Sequence, residues 1–233
     1  MKESTHLPTD SRYPYKPTVG LSNGVARLKK PAGERPPDKR LEKGVETRRA
    51  VIETATRLFA GHGYAAVSID AVLVACGISR GALYHHFPSK EALLEAVFEA
   101  VEIDVTNKVV ARAASASGAV EAVRAGCEAF LDLTQDPVVR QIVLTDAPSV
   151  LGWEKWREID ERYAFGLMKA ALEPAAKEAG LPASLIDTFA HMLLASLSEV
   201  ALMIAQADDS TVALENGRRA VRELLDRILT RPD

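Results

Sequence analysis

From Val51 onward, apolar residues recur at intervals of three and four, and that spacing restricts the fold more than any other feature of the chain. Val51, Ile52, Ala55, Leu58 and Phe59 fall on one helical face, with Gly61 and Gly63 as stops behind them, which predicts a first helix over 46–61. Ser68 reads as the N-cap of a short second helix carrying Ala71, Val72 and Ala75, and Gly77 is free to turn the chain sharply. Ser79 caps a third helix over 80–87, Pro88 breaks it, and Ser89 caps a long fourth one running from Lys90 to about 114. Beyond Gly118 the period continues through Val120, Val123, Cys127, Phe130 and Leu131, through Val138, Ile142 and Val143, and through Trp153, Trp156, Ile159, Tyr163 and Leu167. Residues 183–206 are apolar around most of the helix circumference and must be covered on most sides, whereas Val221, Leu224, Leu225, Ile228 and Leu229 form a single stripe. No run of alternating polarity is long enough to demand a strand, and no internal repeat is present. The expected fold class is all-α.

The net charge of -3 conceals an asymmetry. Residues 1–90 hold 15 Lys and Arg against 8 Asp and Glu, a balance of +7, while residues 91–233 hold 14 against 24, a balance of -10. A basic end on an acidic body suggests that the first part meets a polyanion; chance segregation of solvated charges is the plain alternative. Residues 1–43 contain six of the twelve prolines and no sustained apolar period, so they are expected to form a disordered basic tail, either adding phosphate attraction or acting as an inert leader. Cys76 and Cys127 lie in separate helix-patterned stretches and read as reduced core thiols, which fits the cytoplasm. No secretory leader pattern opens the chain, and the apolar stretch 190–207 is interrupted by Ser196, Ser198 and Glu199, so no membrane association is expected. His6, His62, His85, His86 and His191 show no ligand spacing with the cysteines, so neither a metal nor a cofactor is expected.

Residues 68–87 have the proportions of a helix-turn-helix: two short helices joined at Gly77 and Ile78. A helix that reads DNA must be short, presented by a rigid base and armed near its N-terminus. Ser79, Arg80 and Gly81 open this one, Gly81 and Ala82 lack bulk that would hold a duplex away, and Leu83 and Phe87 are spaced to anchor it from behind. Tyr84, His85 and His86 are left near the outer face. The run from Gly77 through Phe87, Pro88, Ser89 and Lys90 to Leu93 resembles the recognition-helix signature of the TetR family of transcriptional regulators, and 47–64, with its Gly-x-Gly-Tyr ending, resembles that family's first helix. Val72-Leu73 and Cys76 depart from the family's usual Ile-Ala and Ala, which puts the tilt of the recognition helix in question but not its presence.

The resemblance implies an N-terminal three-helix DNA-binding domain over 44–90 and a C-terminal helical domain over 91–233 that binds an effector and forms a homodimer through its last two long helices. It implies binding to double-stranded operator DNA and release when an unidentified small molecule binds. Carried onto matching positions, Ser68 and Tyr84 hold phosphates, Lys90 caps the DNA-binding unit and touches the backbone, and Ser79, Arg80, Gly81, Ala82 and His85 lie along the major groove. Thr47 and Arg48 are further candidates for phosphate contact, as is His86 for the DNA face. A guanidinium pairs with both acceptors of guanine, so Arg80 is the first candidate for base readout, with a phosphate contact as its alternative.

For the effector, Trp153, Trp156 and Tyr163 share a helical face and His191 stands in an apolar helix, a set suited to a flat, mostly apolar ligand; ordinary core or dimer packing is the alternative. Asp146, ahead of a helix end at Ala147-Pro148, is a further candidate. Two rival readings come from other classes. Gly77-Ile78-Ser79-Arg80-Gly81 satisfies the Gly-x-Ser-x-Gly elbow of serine hydrolases, with Asp187 and His191 following in a permitted order, but that motif needs a strand before the serine and an oxyanion loop. A helical adaptor that binds only proteins would explain the apolar last helices but not residues 77–90.

Overall fold

The computed structural model describes residues 39–229, with side chains from residue 43, and the described chain is helical throughout, without strands. In order these are α1 (Lys39–His62), α2 (Ile69–Cys76), α3 (Arg80–His86), α4 (Lys90–Ala113), α5 (Ala119–Leu133), a π-helical segment (Val139–Asp146), α6 (Ala147–Leu151), α7 (Trp153–Ala179), a 3-10 turn (Ala183–Leu185), α8 (Ile186–Gln206) and α9 (Ser210–Leu229). The tail expected over 1–43 lies outside the described residues at 1–38, and at 39–43 the expectation is corrected, because α1 begins at Lys39. Lys, Arg, Leu and Glu between 39 and 46 are good helix formers, so the helix extends backward past Thr47 to Lys39.

α1 turns Val51, Ile52, Ala55 and Phe59 inward and stops at Gly63, whose φ of +76° suits a residue without Cβ; its N–H donates to the Phe59 carbonyl at 2.8 Å. α2, α3 and α4 each start on a serine whose hydroxyl accepts from the backbone N–H three residues on: Ser68 from Ala71, Ser79 from Ala82 and Ser89 from Ala92, at 3.1 to 3.2 Å. Gly77, at φ +66°, closes α2 in the left-handed conformation and so sets the angle at which α3 leaves.

One hydrophobic core runs without a break from the N-terminal helices into the body. Phe59, Val72, Leu83 and Phe87 join Leu93, Leu94 and Phe98 of α4, Ile142 of the π segment, and Trp156 and Ile159 of α7. Each such side chain contributes roughly 1.5–3 kcal/mol on leaving water. A second core gathers Cys127 and Leu131 of α5, Leu172 of α7, Leu193 and Leu197 of α8, and Leu214 and Leu225 of α9. The stretch Ala183–Gln206 is long and apolar enough to cross a membrane by length and composition; here its α8 portion packs against α5, α7 and α9. α9 approaches α8 closely at Gly217, where a Cβ would meet Val200 Cγ1 at 2.8 Å, and is tied to α5 by the pairs Arg124–Asp226, Arg218–Asp132 and Arg222–Glu128.

The π segment was legible only as a helix. Its wide turn is held by side chains: Thr145 Oγ1 donates to the carbonyl of Arg140, five residues back, at 2.8 Å, and Trp156 Nε1 donates to the Val143 carbonyl at 2.8 Å.

Candidate nucleic-acid interface

α3 has two unlike faces. Leu83 and Phe87 are 0% and 1% exposed and join the core shared with residues of α1 and α4, whereas Ser79, Arg80, Gly81, Tyr84 and His85 are exposed along the opposite side. Ala82 and His86 are half-buried at the margin, and the His86 ring lies 5.2 Å from that of His85 and 6.2 Å from that of Phe87. Nothing stands within 4 Å of where a Gly81 Cβ would be, so the backbone there is open to a close approach. The Arg80 guanidinium is ion-paired to Asp70 of α2, an exposed pair that holds the cation beside the start of α3.

The other predicted DNA-side residues are dispersed around this helix. Ser68 is exposed and its hydroxyl caps α2. Arg48 is exposed and its guanidinium lies 5.3 Å from the Phe87 ring centroid, which brings α1 to the far end of α3. Thr47 is half-buried and donates its hydroxyl to the Lys43 carbonyl at 2.8 Å. Lys90 is turned toward the protein: Nζ donates to the Tyr64 carbonyl at 2.6 Å and lies 3.9 Å from that ring's centroid. Burial lowers the Lys90 pKa, against the opposing pull of Glu91 and Asp146, and raises that of the Tyr64 phenol.

The effector candidates do not assemble into one site. Trp153 and Trp156 stack at 4.8 Å, but Trp156 is buried in the core and Trp153 stands half out in solvent. Tyr163 is half-buried on α7, and His191 is exposed on α8, stacked on Phe165 at 3.9 Å, so it is not the interior histidine that its apolar helix suggested. Asp146 instead bridges to the turn after α1: its Oδ2 accepts from the Tyr64 N–H at 2.8 Å and its Oδ1 from Gln141 Nε2 at 3.1 Å. The body does contain a cavity of about 70 Å³ between α4, α5, α7 and α8, lined by Val105, Thr106, Phe130, Met168, Leu197 and their neighbours, and none of the five candidates lines it. Its one acidic wall residue, Glu102, was missed. The signal was present as a lone acid within the inward stripe Phe98, Val101, Val105.

The hydrolase reading is overturned. The residues before Ser79 form α2 where an elbow needs a strand, and the Ser79 hydroxyl is spent on capping α3. Asp187 is exposed and paired with Lys169 at 2.7 Å, and His191 stacks on Phe165, so no triad exists.

Comparison with known proteins agrees with this geometry at both ends of the chain. Residues 51–97 match the family described as bacterial regulatory proteins, tetR family, and residues 120–228 match the tetracyclin repressor-like C-terminal domain. The crystal structure of a TetR-family transcriptional regulator from Pectobacterium atrosepticum is 30% identical with a TM-score of 0.74, covering 82% of this chain and 98% of that one. The transposon Tn10 TetC protein of Escherichia coli is 28% identical over 149 residues, 63% of this chain and 74% of that protein. The HTH-type transcriptional regulator YerO of Bacillus subtilis, uncharacterised by its own name, is 53% identical over 49 residues, a match that spans only 17% of its length. With a helix-turn-helix that buries one side of α3 and exposes the other, and with likeness extending through the helical body, the chain belongs to the TetR family and is a DNA-binding transcriptional regulator.

Proposed function

We propose that the chain is a homodimeric repressor that sets the exposed faces of two α3 helices into successive major grooves of a near-palindromic operator and leaves it when a small molecule enters the body. The observation that carries this reading is the division of α3 into a buried Leu83–Phe87 side and an exposed side bearing Ser79, Arg80, Gly81, Tyr84 and His85. Ala82 and His86 border that face; Ser68, Thr47, Arg48 and Lys90 supply backbone contacts around it, Lys90 on exchanging Tyr64 for phosphate. Residues 44–90 act as the DNA-binding domain and 91–233 as the effector and dimer domain, working in the cytoplasm. Dimerisation through α8 and α9 is supported by apolar side chains left in solvent on both: Met192 and Met203 on α8 are 57% and 63% exposed, and Val212 on α9 is 51% exposed. The cavity among α4, α5, α7 and α8 is the effector site, because filling it pushes directly on α4, the helix that begins at the DNA-binding domain.

The test is a duplex selected from a random library, then bound by wild-type and Arg80→Ala protein. A guanidinium bidentate to guanine is worth about 1–3 kcal/mol, so Arg80→Ala is expected to lose about tenfold to about a hundredfold in affinity and to relax selectivity at one base pair. Full affinity with full selectivity would remove Arg80 as the reading residue.

A further inference from the structure

Glu102 is 2% exposed and stands on the cavity wall as its one acidic residue. Its neighbour Asp160, on α7 and equally buried, accepts from Ser198 Oγ at 3.1 Å and also feels Arg157, whereas Glu102 feels only burial and the charge of Asp160. Both effects push its carboxyl well above the ordinary carboxylate range. An acid in a wall that is apolar but for Thr106, and next to a second acid, is costly to keep for packing alone. A ligand bearing a positive charge and N–H donors would draw this raised carboxyl back to its ionised form and pair with it; an anion would gain no such pairing, and a hydrocarbon would leave the acid as it is.

We propose that the effector cavity takes a small primary amine, an alkylammonium whose cationic head pairs with Glu102 and whose apolar body lies among Val105, Phe130, Met168 and Leu197. This rests on the reading of the cavity as the effector site. Thr106 adds a hydroxyl to the same wall.

Calorimetry on the full-length protein with n-pentylammonium, 1-pentanol and pentanoate, which share one apolar body, tests the class of head group. Wild-type protein is expected to bind the ammonium at least about tenfold more tightly than the alcohol, with pentanoate weakest, and Glu102→Gln to bring ammonium and alcohol within about twofold. Should Glu102→Gln not fold, Glu102→Met reads the same loss. Gly126→Leu separates the class from the site, since a side chain at Gly126 grows toward Val109 and Ala113 on the cavity wall. Alcohol binding that matches or exceeds ammonium binding, and that Gly126→Leu abolishes, keeps the cavity as the effector site and overturns the amine. Ammonium affinity untouched by Glu102→Gln also overturns it. If none of the three binds, or if Gly126→Leu changes none of them, the cavity reading fails and the proposal with it.

Discussion

Asp160 illustrates how a single buried group sets a pH dependence for the whole chain. Burial, only partly offset by the Ser198 hydroxyl and by Arg157, pushes its pKa from 3.8 up to about 6. The folded protein therefore holds a proton there that the unfolded chain has already released, and stability falls as pH rises. This contribution is fully present below the ordinary aspartate range and is lost progressively as pH rises through about 6, with Glu102, also raised, extending the loss upward. Asp160→Asn keeps an oxygen for Ser198 and removes the charge. Urea denaturation is expected to find it more stable than wild type at pH 8 and indistinguishable at pH 4; a variant that gains nothing at pH 8 would show that Asp160 is not penalised in the folded protein. Cys127, on the same cavity wall, is a parallel case: burial pushes its thiol to about 12, so it contributes volume and not thiolate chemistry.

Among elements, the π segment links the DNA-binding helices to the body. It packs on α1, α4 and α8, and its last residue, Asp146, holds the Tyr64 N–H while Lys90 of α4 holds the Tyr64 carbonyl. The turn between α1 and α2 is thus clasped from both sides, and any shift of α4 or of the π segment is felt there. Hydrogen bonds to a charged group are worth about 1.5–3 kcal/mol, so Asp146→Ala is expected to speed hydrogen exchange at the Tyr64 amide by at least about tenfold. Unchanged exchange at that amide would show that the clasp carries no energy. The elements were largely legible beforehand because their signals are local: Ser68, Ser79 and Ser89 do cap helices, Gly77 does turn the chain, and Leu83 and Phe87 do anchor α3. What was not legible depended on partners distant in the chain. The π turn needs Trp156, the role of Asp146 needs Tyr64, and the orientation of His191 follows from Phe165. The cavity was out of reach for the same reason, since it arises where four helices fail to fill the space between them and no spacing along one of them records that gap.

For the molecule as a whole, the unbroken core from Phe59 through Phe98 to Trp156 makes α1 to α3 an extension of the body, so that movement of α4 is carried to the recognition helix through packed side chains. The charge imbalance between the two halves has the sense required for an N-terminal end that meets a polyanion. The most direct test of the account is the binding of full-length, folded protein to a fluorescent pool of mixed duplexes, followed by anisotropy as salt is raised. Binding is expected at about 50 mM salt, with affinity falling at least about tenfold by about 200 mM as counterions compete for the phosphates. A folded protein that binds no duplex at the lower salt would contradict the assignment of the exposed face of α3 to DNA, and with it the function built on that face.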